Sequence, residues 1–456
     1  MSHTASAHDP SGAPSGATAD EVAQTAQTPQ IADIADIAET AQAATDAQAA
    51  TAAQGAEVPE VLLSDPEVIC DPFAVYGRAR EQGPVARLTA PGFGGMWGVT
   101  RYAEARALLG DPRFEIRSDS FLRPEVPDDC LPYMRTMAEM NGPEHLRLRR
   151  LVAPAFGARR AAAFRPRIEA TVDRLLDDLA AHTAPDGSVD LLPHFAGHLP
   201  MDVICEWVGI PEEDRLQWRA YGRTVATGGG KEFAAAIPGI VGGAKAAVAQ
   251  RRRDFAAGAV PGNDLLTDLI RAQDEDGDRL SDDELVTLVW HVVMAGQSPT
   301  HLVANAVHAL LDHPEQLAAL QADRSLLPRA VEELTRWAGP TLLTIPRYAT
   351  ENVTLHGVRV AKGEAVTAVV AAANRDPRAF AAPDRLDVRR VPGSTPHLSF
   401  AHGAHFCLGA AVARLQTEVA LARILDRFPT LRRAGSATRA MDPGTWRLEN
   451  LPVRGL

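Results

Sequence analysis

Residues 290–311, WHVVMAGQSPTHLVANAVHALL, read as one long helix with a proline near its centre. Pro299 removes a backbone donor and presses its ring on the preceding turn, at about 3 kcal/mol in a plain helix interior. The break therefore points to something that sits against this helix. The segments around it are helical too. RYAEARALLG ends at Gly110, a fitting C-cap, and EHLRLRRLVAPAF is helical up to Pro154. RPRIEATVDRLLDDLAAH, DLLTDLIRAQ, RAVEELTRWA and AAVARLQTEVALARILDRF place apolar residues at helical spacing. SDDELVTLVWHVVMAG opens with Ser281 and Glu284, a capping box.

Strand signals are few. NVTLHGVRVAKGEAVTAVVAAAN alternates and turns at His356-Gly357 and Lys362-Gly363, which predicts a small antiparallel unit; TWRLENLPVRGL is a candidate terminal hairpin strand. The expected fold is mainly α: a single large helical domain, residues 58–456, with a small β-rich side. Residues 1–57 are built from Ala, Thr, Gln, Ser and Asp, and read as a disordered acidic low-complexity tail.

Charge follows this division. No Lys or Arg precedes Arg78, whereas residues 1–60 hold nine acids, so of the net -12 only about -3 belongs to the rest. Nothing basic enough to bind nucleic acid is present. No run approaches the roughly 18 apolar residues of a membrane span, and no basic-then-apolar secretory leader is seen, so the expected location is cytoplasmic. Cys70, Cys130, Cys205 and Cys407 lack the paired spacing of a zinc site, and a disulfide framework does not suit a large cytosolic chain.

Cys407 stands apart. HLSFAHGAHFCLGAAVARLQTEVAL places it in a glycine-flanked loop just before a long amphipathic helix, where a thiolate faces unpaired N–H groups. Gly403 and Gly409 allow a close backbone approach or a positive φ, and Phe400 supplies an apolar cover. On residue types alone the thiolate is either a nucleophile, with His405 as the one local base, or a soft metal ligand.

The stretch resembles the haem-binding loop of the cytochrome P450 family, with Phe400, Gly403, His405, Cys407 and Gly409 at the family's pattern positions. EELTR resembles its Glu-x-x-Arg helix through Glu333 and Arg336, and PDRLD resembles the segment whose arginine, taken as Arg385, closes an ion-pair triad with them. EHLRLRR resembles the bacterial His-x-x-x-Arg helix through His145 and Arg149, and PRYATENVTLHGVRV resembles the β segment that follows. The resemblance covers roughly residues 60–456 with the motifs in family order. It implies haem b with Cys407 as axial thiolate, a ligand that favours O–O cleavage. It also implies sulfur-bonding N–H groups at Leu408 and Gly409, and His145, Arg149, Arg347 and His405 as partners of the haem propionates.

In that family the long helix over the haem usually reads Ala-Gly-x-(Asp/Glu)-Thr, and the acid and alcohol relay protons during oxygen activation. Aligned on Ala295 and Gly296, this chain has Ser298 at the acid position and Pro299 at the alcohol position; Thr300 comes one residue late, ~100° around a helix. Gln297, Ser298 and Thr300 are the candidate catalytic groups. Two readings follow. In one, Ser298, Gln297 or water relays protons for ordinary hydroxylation. In the other, the enzyme removes hydrogen or an electron and the substrate couples or desaturates. Peroxide-driven turnover is a third. A haem sensor or carrier is the reading from another class.

By family position, the pocket is expected near SFLRPEVPDDCLPYMRTMAEMNG, VATGGGKEF, residues 292–300, TLLTI and Trp446. Met140, Val293 and Leu343 are the expected apolar walls, and Gln297 and Ser298 the groups for a substrate amide or carbonyl. An aromatic or cyclic-dipeptide-like natural product suits such a pocket. The implied partners are a ferredoxin and its reductase, and the chain is expected to be a monomer. Arg147, Arg150, Arg159 and Arg160 are the candidate basic cluster for an acidic partner.

Overall fold

A computed structural model describes residues 58–456, apart from 122–124, 227–229, 260–261, 276–279, 392 and 394. The expected tail, 1–57, lies outside the described residues. The helices that build the site are α1 (Tyr102–Gly110), α2 (Gly142–Val152), α3 (Ala158–Asp178), α4 (Leu199–Val208), α5 (Arg215–Ala226), α6 (Gly230–Ala256), α7 (Asp282–Ala295), α8 (Pro299–Asp312), α9 (Leu327–Ala338) and α10 (Ala410–Arg427). Their buried faces form one large apolar core, in which α10 packs on α3, α8 and α9, while α7 packs on α4, α5 and α6.

Sequence punctuation explains several ends. Ser281 Oγ accepts from Glu284 N at 3.1 Å and Glu284 Oε2 from Ser281 N at 3.0 Å, the expected capping box. Such a cap contributes on the order of 1 kcal/mol. The long helix splits at the expected place: α7 stops at Ala295 and α8 starts at Pro299. Between them the bonds tighten to a three-residue reach, Gln297 N to Met294 O, Ser298 N to Ala295 O and Thr300 N to Gln297 O, at 3.1–3.3 Å. Pro299 thus occupies the first helical position, where a missing donor costs little.

The β side is larger than the sequence patterns indicate. One sheet has six strands in the order β1-β2-β3-β9-β6-β4. They are β1 (Glu60–Leu62), β2 (Val85–Ala90), β3 (Phe93–Val99), β4 (Phe114–Glu115), β6 (Arg347–Ala349) and β9 (Ala365–Ala368). β5 (Ser188–Asp190), β10 (Arg432–Arg433) and β11 (Pro452–Arg454) form a second sheet. β7 (Val353–Leu355) and β8 (Val358–Val360) make the expected hairpin about His356-Gly357, whereas β9 leaves it for the large sheet.

One expectation is corrected by a helix. Residues 231–256 of α6 are long and apolar enough to cross a membrane by composition. In the fold α6 lies on α5 and α7, with Ile237, Ile240, Val241 and Ala244 buried in the common core.

Candidate functional site

Cys407 sits in a turn held at both ends. Its N–H donates to the Phe400 carbonyl at 2.8 Å, and Phe406 N to Gly403 O at 3.0 Å. Gly403 has φ +76, and a Cβ there would lie 2.7 Å from the Leu109 carbonyl, so only glycine lets this loop pass the end of α1. Upstream, Asn374 Oδ1 accepts from Leu398 N at 2.7 Å and its Nδ2 donates to Ser399 Oγ at 2.8 Å; Ser399 Oγ reaches Thr335 O on α9 at 2.8 Å. Arg414 of α10 lies over the Phe400 ring at 4.6 Å and pairs with Glu332. Burial pushes Glu332 up, but hydrogen bonds from His397 and Arg414 outweigh it and hold the carboxyl at about 2.

The thiol of Cys407 is raised chiefly by burial, against a lowering by the Gly409 N–H and by the charges of Arg149 and Arg414. The residue is nevertheless accessible. Both hold for a sulfur at the floor of a recess, enclosed by protein and open on one side. The Gly409 N–H is the expected sulfur donor.

The expected cationic groups gather around this recess. His145 and His405 stack with ring centroids 4.3 Å apart, and Arg149 Nη2 donates to Phe406 O at 2.5 Å. Burial, followed by the charges of His145, Arg347 and Arg149, holds His405 down at about 3. Arg347 on β6 is 5% exposed. Its Nη1 donates to the Leu109 carbonyl at 3.0 Å, and its Nε has no hydrogen-bond partner. Burial pulls it down to about 10, with the Asp111 charge opposing. A buried guanidinium with an open donor calls for an anion. A flat ligand with carboxylates at its edge and a soft metal for Cys407 fits this donor set, and haem has both.

The Glu-x-x-Arg pair forms as expected. Arg336 Nε and Nη2 meet Glu333 Oε2 and Oε1, each at 2.8 Å, and Nη1 reaches the carbonyls of Asn374 and Pro383. The third member is different. Arg390 Nε stands 2.9 Å from Glu333 Oε2, while Arg385 is 69% exposed and pairs with Asp387. The reason is the turn: Asp387 N donates to Glu333 Oε1, so the backbone itself fills the place assigned to the Arg385 side chain.

The helix break sorts the candidate catalytic groups. Gln297 and Thr300 are buried, and Gln297 Nε2 donates to Thr300 Oγ1 at 2.8 Å. Gln297 faces Gly197 and Gly222 inside the protein. Ser298 is exposed on another side, and its Oγ donates to the Ala295 carbonyl at 3.1 Å, a second bond to the oxygen that its own N–H already reaches. A Cβ on Gly296 would fall 2.5 Å from Ile204, so the break is also a close approach to α4.

The expected walls divide likewise. Met140 and Val293 lie in the apolar core, 4% and 0% exposed. Leu343 is half-buried, and Ile345 in the same TLLTI stretch is 42% exposed beside Arg347. Trp446 meets Phe73 edge-on, with centroids 5.0 Å apart, and has the Arg439 guanidinium over its ring at 3.8 Å, so its ring packs on protein. Residues 122–124 and 227–229, within two expected pocket segments, lie outside the described residues. Of the basic cluster, Arg147 pairs with Glu284 and Arg160 with Asp268, while Arg150 and Arg159 are exposed. Asn374, Ser399 and Arg390 were not found from sequence, because each acts through a partner distant along the chain.

Comparison with known proteins agrees with this geometry. The Cytochrome P450 family model matches residues 227–445. Cytochrome P450 107B1 of Saccharopolyspora erythraea is 39% identical over 419 residues, covering 87% of this chain and 98% of its own. The mycinamicin IV hydroxylase/epoxidase of Micromonospora griseorubida is 40% identical over 362 residues, covering 78% and 88%. Among solved structures, the P450 enzyme CxnD for C–S bond formation in chuangxinmycin biosynthesis superposes with a TM-score of 0.74 at 30% identity, over 88% of this chain and 98% of its own.

Proposed function

The chain belongs to the cytochrome P450 family, whose members bind haem b through a cysteine thiolate, and we propose that it oxidises an aromatic or cyclic-dipeptide-like natural product by C–C or C–N coupling or by desaturation. It is an enzyme related to monooxygenases that tailor secondary metabolites, and its fold is the P450 fold. Cys407 would hold the iron; Arg347, Arg149, His145 and His405 would meet the propionates, and Phe400 and Gly409 would shape the loop around them. The haem, when bound, supplies activation of dioxygen with electrons from a redox partner.

The observation that carries the reading is the broken helix. Between Trp290 and His301 the chain has no carboxylate, and the exposed residues there are Ala295 and Ser298, with His291 partly accessible one turn earlier. The Ser298 hydroxyl hydrogen is engaged by the Ala295 carbonyl, leaving its oxygen to accept. Gln297 Nε2 donates to Thr300 Oγ1 away from that face, while Gln297 Oε1 has no hydrogen-bond partner. The chain thus lacks the acid–alcohol pair that moves protons toward bound oxygen, and a reaction that draws hydrogen from the substrate suits it better. In desaturation or ring closure the substrate loses two hydrogens. Dioxygen takes these, two electrons from a ferredoxin and two solvent protons, and leaves as two waters.

A second reading has a specific support of its own: a relative is named as a hydroxylase and epoxidase. There one oxygen atom enters the product and the other leaves as water, with Ser298 or an ordered water passing the protons. Turnover under isotopically labelled dioxygen separates the two. The coupling reading expects a product two hydrogens lighter and free of label; label in the product at one atom per turnover overturns it. Cytoplasmic location and a ferredoxin with its reductase are proposed on the same family grounds.

A further inference from the structure

His182 and His194 take part in none of the roles above. His182 ends the tight turn Leu179–His182 that closes α3, and His194 lies in the turn Leu192–Ala196 that leads into α4. β5 runs between them. The fold brings the two rings face to face, with centroids 4.0 Å apart and planes 11° from parallel. Among the described residues neither ring has a hydrogen-bond or ion-pair partner.

The backbone holds the second ring in place. Asp190 Oδ1 accepts from Leu192 N at 2.9 Å and from Leu451 N at 2.8 Å, which ties the start of its turn to the strand pair β5 and β11. The turn is one residue wider than an α-helical one. Gly197 N donates to Leu192 O at 2.7 Å, and a Cβ on Gly197 would lie 2.9 Å from that oxygen. Such widened turns are uncommon and recur at functional sites. This one leaves His194 half-buried beside an exposed His182.

Burial, followed by the charge of His182, lowers His194, with the Asp190 charge opposing. The ring is thus neutral at neutral pH and keeps one nitrogen lone pair free. Neutral imidazole suits zinc, copper and nickel. At about 2.0–2.1 Å per bond, one ion spans nitrogens up to about 4 Å apart, so a turn of the exposed His182 side chain brings both rings onto it. Among the described residues no group of three or more His, Cys, Asp or Glu is placed to hold an ion, so water fills the remaining positions.

We propose that His182 and His194 form a site for a divalent transition-metal ion, of which zinc is the probe, and that the ion staples the end of α3 to the turn before α4. The junction exists only in the folded chain, so the ion stabilises the native state. α4 carries Ile204, on which Gly296 of the helix break closes, and the staple therefore supports the element behind that break.

The test titrates zinc chloride into haem-loaded wild type, H182Q, H194Q and the double variant, with free zinc read by a competing chromophoric chelator. His3, His8 and the exposed Cys70 are common to all four proteins, so any zinc they take is the same in each. Each single substitution is expected to weaken the site at least about tenfold, since loss of even an outer partner of a ligating histidine costs that much. Zinc is expected to raise the melting temperature of wild type and to leave that of H182Q unchanged. His182 is exposed, so H182Q keeps the fold. In zinc-soaked crystals an anomalous peak is expected about 2.0–2.1 Å from one nitrogen of each ring. Equal zinc affinity in wild type and the double variant overturns the proposal. A loss confined to one single variant reduces the contact to one imidazole and overturns it too, as does a wild type without saturable binding.

Discussion

At the scale of single residues, chemistry that is local in sequence was legible and chemistry that is distant was not. Phe400, Gly403, His405, Cys407 and Gly409 lie within ten positions, and one short loop fixes their relations. Arg390 reaches Glu333 across 57 residues, and only the fold of the intervening turn decides that it, rather than Arg385, does so. The difference is measurable. Arg336→Leu leaves Glu333, 1% exposed in its side chain, without its bidentate partner and is expected to cost about 3–5 kcal/mol. Arg390→Leu removes the second cation and is expected to cost about 1–3 kcal/mol. Arg385→Leu, on the surface, should stay within about 0.5 kcal/mol. Denaturant unfolding of the three variants checks the order, and equal losses for Arg385 and Arg390 would refute the assignment. Arg347 makes a separate case. Its open Nε and its burial predict that Arg347→Leu does little harm to the apoprotein but lowers haem retention, read as the rate of haem transfer to apomyoglobin.

At the scale of elements, the sequence located the interruption of the long helix to the residue but not the direction its side chains take. Counting ~100° per residue puts Thr300 off the open face, which is where it lies. The tightened bonds at Gln297 and Ser298 change the phase, and they carry Gln297 inward with it. Periodicity alone has no access to that change. The strands β1, β2 and β3 were missed for a different reason. VARLTA does alternate, with Ala86 and Leu88 buried and Arg87 and Thr89 less so, but the run is short and carries few β-branched or aromatic residues. The helix break yields its own prediction. Because Pro299 opens α8 and Ser298 Oγ serves the Ala295 carbonyl, Pro299→Ala should change stability by under about 1 kcal/mol, not the ~3 of a helix interior. A thermal midpoint raised by many degrees would show that the proline strains the fold.

At the scale of the whole molecule, buried histidines set how the fold responds to acid. Burial holds His198, His291 and His301 at about 4, although nearby Asp202 and Asp442 oppose this at His198 and His301. In the unfolded chain each titrates near 6.5. Between those values the unfolded state binds more protons than the native one, so stability rises with pH there and falls as the solution is acidified. The stabilisation is complete above about pH 6.5 and is lost progressively down to about pH 4. Glu332 acts in a lower window, since its carboxyl, held at about 2, costs stability only as pH drops below its ordinary range near 4.5. The two windows make the origin separable. Melting temperature at constant ionic strength should fall between pH 7 and pH 5, before most carboxylates are protonated. His198→Gln combined with His301→Gln should reduce that fall, the remaining buried histidines keeping part of it, while leaving the steeper loss below pH 4.5 in place. A melting temperature constant from pH 7 to pH 5 would mean that these imidazoles reach protons in the folded state, and that the interior around the α7–α8 helices is wetter than its packing shows.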